Sequence, residues 1–146
     1  IAMGAGALDA LDTETDNLAI GYNALGGSLN SGTKNIAIGN YSLDANTSGG
    51  NNVAVGYNAL TANTSGSKNT ASGNYALNTN NTGSYNTANG WGALASNTSA
   101  SGNTASGWQA LYQNSTGGYN TASGSSALKT NTTGSANVAS GHQTLY

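Results

Sequence analysis

The chain contains no cysteine, no proline, no phenylalanine and no arginine. Without cysteine there is neither a disulfide framework nor a thiolate metal site, and the redox compartment stays open. Charge is almost as scarce. Three lysines and five acids in 146 residues fall far below the usual share of about a quarter. A net charge of −2 with lysines scattered at 34, 68 and 129 excludes the clustered basic surface that displaces counterions from nucleic acid. No run approaches the ~18 apolar residues of a membrane-spanning helix. No initiator methionine or signal segment is present, and the chain starts and stops in mid-repeat. The expectation is a single repeat domain, 1–146, that is a fragment of something longer.

What is present is glycine, 22 residues of it, with abundant Asn, Thr and Ser. Such composition at low charge suits a disordered tract, but here the spacing is regular. Asn17, Asn35, Asn52, Asn69, Asn86, Asn103, Asn120 and Asn137 open successive copies of one phrase. The period is 17 residues, with one step of 18 where Gly26–Asn30 carries an insertion. The unit is N-x-A-x-G-x-x-A-L-x-x-N-x-x-G-x-x, and a divergent copy, "IAMGAGAL", precedes the others. Alanine at the third place runs from Ala2 to Ala139, glycine two residues later from Gly4 to Gly141, and leucine from Leu8 to Leu145, without a gap. A fixed period with this invariance means stacked structural units.

Seventeen residues are too few for a helix pair and lack strong helix formers. They suit one coil of an all-β, parallel β-solenoid. The segments x-A-x-G and x-x-A-L each read as a short strand, and the Gly- and Asn-rich stretches read as turns that tolerate positive φ. Coils about 4.8 Å apart would make a rod of roughly 40 Å. Invariant Ala and Gly imply space that larger side chains cannot enter. The leucine row is the only large apolar one kept throughout. The positions flanking the alanine change from Leu18/Ile20, Ile36/Ile38 and Val53/Val55 to Thr70/Ser72, Thr87/Asn89, Thr104/Ser106 and Thr121/Ser123, so they lie outside the deep core. One Leu and two Ala per coil bury little apolar surface, which predicts association of several chains with closed symmetry.

The phrases "NLAIGYNAL", "NIAIGNYSL" and "NVAVGYNAL" resemble the head repeats of YadA-type trimeric autotransporter adhesins, whose phrase is similar to S-V-A-I-G. With the N-T-[ST]-G link, the longer unit is even more similar to repeats of bacteriophage tail fibres and related bacterial trimeric fibres. The resemblance spans essentially the whole chain. It implies a left-handed parallel β-roll, a homotrimer, and an extracellular or virion fibre used for attachment. The 17-residue period is longer than the YadA-type unit, and the polar "NTASG" coils from residue 69 onward depart from its apolar pattern. Both departures favour a phage-like or fibre-like setting.

The sequence carries little that suits catalysis. The single histidine, His142, stands at the variable place after Gly141, and Asp44, the nearest carboxylate, lies about six coils away. A general base needs a partner within hydrogen-bond reach, so no enzyme and no cofactor are expected. Asp9, Asp12, Glu14 and Asp16 gather the carboxylates that a hard cation wants but not the spacing of a calcium loop. A solvated, charged turn that discourages end-to-end stacking is the reading preferred, and no metal is expected. Asparagine at the repeat start and in N-T-S (Asn46, Asn63, Asn80, Asn97, Asn114, Asn131) predicts two amide ladders along the stack.

The variable pair after the glycine is richer. It reads Tyr22-Asn23, Asn40-Tyr41, Tyr57-Asn58, Asn74-Tyr75, Trp91-Gly92, Trp108-Gln109, Ser125-Ser126 and His142-Gln143. Aromatic faces beside amides suit sugar rings, and they equally suit packing between chains. Tyr57, Tyr75, Trp91, Trp108, Gln109 and His142 are the candidate ligand surface. The function expected is a non-enzymatic attachment-fibre segment that binds, or supports binding to, a cell-surface glycan or protein receptor. A purely structural shaft is the alternative. An ice-binding solenoid is a further one, from the Thr70, Thr87, Thr104 and Thr121 row.

Overall fold

A computed structural model describes residues 1–8, 16–27 and 31–146. The acidic residues Asp9, Asp12 and Glu14, and most of the Gly26–Asn30 insertion, lie outside the described residues. Nine strands follow in chain order: β1 (Ala2–Met3), β2 (Leu18–Ile20), β3 (Ile36–Ile38), β4 (Val53–Val55), β5 (Thr70–Ser72), β6 (Thr87–Asn89), β7 (Thr104–Ser106), β8 (Thr121–Ser123) and β9 (Val138–Ser140). Each pairs in parallel with the next, giving one nine-stranded sheet in sequential order. The register sets Ala19 on Ala37, Ala37 on Ala54 and so on to Ala122 on Ala139. The chain is an all-β parallel solenoid of about eight turns, built on the 17-residue coil read from the sequence.

The strand alternation explains which rows are fixed. The central alanine of each strand points inward, and Ala19 through Ala122 are fully shielded. Against it pack the second alanine of the unit, as in Ala24 and Ala59, and the leucine row Leu25, Leu43, Leu60, Leu77, Leu94 and Leu111. This interior is only a few side chains wide, so two of its rows hold only small side chains: alanine in the strand row, and alanine or the buried Ser42 in the other.

One expectation is corrected. The x-x-A-L segment is not a second strand but a tight turn, with its leucine at φ 48–53° in every coil from Leu8 to Leu145. The residue two places earlier is also left-handed, for example Asn58 at φ 54° and Tyr75 at φ 60°. The apolar letters suggested strand alternation, yet the chain must turn sharply here to bring the leucine back under the sheet. A β-branched residue would resist that backbone. The turn places the Leu77 N–H on the Ala93 carbonyl of the next coil at 3.0 Å, and the same bond recurs along the rod. A single backbone dihedral thus serves both the core and the ladder.

The invariant glycine before this turn has two independent causes. It sits at φ 124–137° in every coil, a region that L side chains avoid. A Cβ on Gly73 would also lie 2.6 Å from the carbonyl oxygen of Gly90, the same glycine one coil on.

Both asparagine ladders form, and they meet. The Oδ1 of Asn52 accepts from the Asn69 backbone N–H at 2.9 Å, and each repeat-start asparagine does the same for the next. In the second ladder, Asn80 Nδ2 donates to Asn63 Oδ1 at 2.9 Å and Asn97 Nδ2 to Asn80 Oδ1 at 2.7 Å. Within a coil the two amides converge on one carbonyl: Asn69 and Asn80 both donate to the Gly83 oxygen, at 2.8 and 3.0 Å. These amides are buried and satisfied, which buried polar groups require.

Candidate functional site

Every coil leaves the strand through its glycine and presents the next two residues at one corner. The corner's position is fixed by the ladder beneath it. The Tyr75 N–H donates to the Tyr57 carbonyl at 2.9 Å and the Gln109 N–H to the Trp91 carbonyl at 2.9 Å. Aromatic side chains at this corner therefore stack with the coils.

They form one continuous stripe. Tyr22, Tyr41, Tyr57, Tyr75, Trp91 and Trp108 follow one another with ring centroids 5.3, 6.1, 5.4, 5.9 and 6.0 Å apart. The first four contacts are edge-to-face, with interplanar angles of 67–89°. The last is stacked at 16°. Edge-to-face geometry is what ring quadrupoles prefer over a face-to-face sandwich, and the sequence obtains it by swapping Tyr-Asn for Asn-Tyr in alternate coils. Where both rings occupy the first of the two places, as Trp91 and Trp108 do, they lie parallel.

The stripe looks outward. Tyr22 is 48% exposed, Tyr57 40%, Trp91 41% and Trp108 50%, whereas Tyr41 and Tyr75 are half-buried between their neighbours. Amides flank the rings, and their oxygens are already engaged: Asn40 Oδ1 accepts from the Tyr22 N–H and Asn74 Oδ1 from the Tyr57 N–H, each at 3.0 Å. Gly92 leaves the space into which the Tyr112 ring packs, 3.3 Å from where a Cβ would stand. Lys129 Nζ closes the far end, 5.5 Å from the Trp108 ring centroid.

Of the six residues singled out from sequence, the fold brings Tyr57, Tyr75, Trp91 and Trp108 into this one row. Gln109 adjoins Trp108, but its Oε1 is shielded and has no hydrogen-bond partner. His142 is exposed two coils beyond Trp108, with Ser125 in the intervening coil, so it stands apart from the stripe. Sequence reasoning left out Tyr22 and Tyr41, whose place in the row was signalled by the alternating Tyr-Asn and Asn-Tyr pairs.

Two other surfaces complete the exterior. The outward face of β2–β4 carries Leu18, Ile20, Ile36, Ile38, Val53 and Val55, half-buried or exposed. From β5 to β8 the same face becomes hydroxyl-bearing, with Thr70, Thr87, Thr104 and Thr121 in register along one row. Among the described residues there is no enclosed pocket and no group of three potential metal ligands, and no helix is long and apolar enough to cross a membrane. Partial burial raises the Asp44 carboxyl above its ordinary value of 3.8. No protein-family model, curated protein or solved structure matches the chain.

Proposed function

We propose that this chain is a segment of a non-enzymatic attachment fibre, extracellular or on a virion, whose aromatic stripe meets glycans on a cell surface. The observation that carries the reading is the row of six rings on the outside of a rigid rod, four of them 40–50% exposed. Open, linear and lacking a pocket, it suits an extended ligand rather than a small molecule. The resemblance to YadA-type heads and tail-fibre repeats supports the same setting, with a left-handed roll and three chains per fibre. Fluorescently labelled protein should bind whole cells or a glycan array, and Trp91→Ala with Trp108→Ala should abolish that binding. Undiminished binding by the double variant would remove the stripe from the reading.

In this reading the apolar outward face of β2–β4 is where the three chains meet. Ile36 and Val55 are exposed large aliphatics on a chain whose own core is thin, and covering them stabilises by about 25 cal/mol per Å² of apolar surface removed from water. Ile36→Asp is expected to shift the sedimentation coefficient from trimer to monomer, while Tyr85→Asp, at an exposed site elsewhere, leaves the trimer intact.

A purely structural shaft is the second reading, favoured by the unbroken hydrogen-bond ladders. On that reading the stripe double variant binds cells as well as the parent fibre does. The threonine row spans only about four coils, and thermal hysteresis in freezing solutions is expected to be absent.

A further inference from the structure

From Tyr22 to Trp91 the stripe has a period of two coils, not one. Tyr22, Tyr57 and Trp91 occupy the first of the two corner places and are exposed, while Tyr41 and Tyr75 occupy the second and are half-buried. From Tyr22 to Trp91 the exposed rings therefore recur every second coil, about 10 Å apart at the usual strand spacing of ~4.8 Å, and Trp108, exposed one coil beyond Trp91, ends the alternation. Three further facts restrict what can lie on them. None of the six ring positions is Asp, Glu, Lys, Arg or His. The amide oxygens beside Tyr22 and Tyr57 are committed to backbone N–H groups, which leaves their Nδ2 donors facing outward. The exposed rings stand in a straight in-register column, because every strand pairs with the next without slippage.

We infer that the stripe takes an unsubstituted β-1,4-linked glucan, extended along the rod axis, with every second sugar stacked on Tyr22, Tyr57 and Trp91. This rests on the glycan reading of the stripe given above. In a β-1,4-linked glucan each pyranose is about as long as one coil rise of ~4.8 Å. Successive sugars are turned over, so the chain repeats once in two residues, as the exposed rings do. All ring hydroxyls are equatorial, which leaves flat C–H faces for aromatic rings and directs the polar groups sideways. An α-1,4-linked glucan coils and cannot hold that alignment over several rungs. Between Tyr22 and Trp91 the row holds no Asp, Glu, Lys, Arg or His, and Lys129 lies beyond it at Trp108, so this stretch offers ring stacking with amide N–H donors at its side. That disfavours anionic or heavily substituted chains.

Calorimetric titration with cellobiose, cellohexaose and maltohexaose tests this. Cellohexaose is expected to bind at least about tenfold more tightly than either of the others. Tyr57→Ala should weaken it about tenfold, while Tyr57→Phe, which keeps the ring, and Tyr85→Ala, outside the stripe, should not. Tyr22→Ala, at the end of the row, replaces Tyr57→Ala where melting shows that variant unfolded. Equal affinity for maltohexaose and cellohexaose, or indifference to loss of the ring, overturns the inference. Cell binding that persists and depends on Trp91 and Trp108 without any cellohexaose binding overturns this inference and leaves the attachment reading standing. Loss of both overturns the two together.

Discussion

At Gly73 the backbone lies at φ 133° and the Gly90 carbonyl oxygen sits where a methyl group would go. Gly73→Ala is therefore expected to cost about 2–3 kcal/mol, from strain in a region that L residues avoid together with displacement of the next coil. Gly66 looks equally tight, since a Cβ there would meet the Gly83 carbonyl, but its φ is not positive and Ala100 fills the same row two coils on. Ala100 still accepts from Asn86 and Asn97, at 2.8 and 3.0 Å, as glycine carbonyls do elsewhere in the row. Gly66→Ala should thus lower the midpoint of urea unfolding less than Gly73→Ala. Asp44 makes a different prediction. Its native pKa is raised by desolvation, so its protonation favours the folded state. That contribution is full below the unfolded value and is lost as pH rises through the raised native one. Melting temperatures of the parent chain relative to Asp44→Asn should rise on acidification across that window, and equal pH profiles would contradict it.

Between coils, the two asparagine ladders and the leucine row act together. Asn80→Ala removes the donor to Asn63 and the acceptor of Asn97, and leaves the Gly83 carbonyl with one amide partner instead of two. Unpaired buried polar groups cost about 1–3 kcal/mol, so a drop of that size in chemical denaturation is expected. Thr82→Ala, at an exposed position of the same coil, should be nearly neutral. Much of this was legible beforehand. The strand, the inward alanine, the leucine row and both asparagine ladders follow from period and side-chain size. The left-handed leucine was not, because leucine has no preference for that backbone and only the closure of the coil demands it. Convergence of Asn69 and Asn80 on the Gly83 carbonyl was hidden for a similar reason: the sequence shows spacing along the chain, not where a turn folds two asparagines together. The aromatic row was half visible, since Tyr57 through Trp108 stood out while the alternation that joins them to Tyr22 and Tyr41 was left unread.

For the molecule as a whole, stability in a stacked array is a sum of coils and the interfaces between neighbours. Deleting residues 69–85 removes one full unit and joins Lys68 to Asn86 in register. The shortened chain should keep its far-ultraviolet dichroism and melt within a few degrees of the parent. Deleting residues 69–76 instead sets alanine rows against other rows, and cooperative melting should disappear. Stability that tracked only the number of residues removed would argue against coil-by-coil assembly.

The hydrogen bonds between coils run along the rod, from Leu18 N–H to the Asn35 carbonyl near one end to Thr121 N–H to the Asn137 carbonyl near the other. A pull on the two ends passes through every coil, and the terminal coil, held by one neighbour instead of two, gives way first. Each released coil adds 17 residues of slack, up to about 60 Å of extended chain, in exchange for one rise of ~4.8 Å. Under tension such a rod yields in equal steps from its ends, so a tethered load is let out by increments while the remaining coils, with their rings, stay in place.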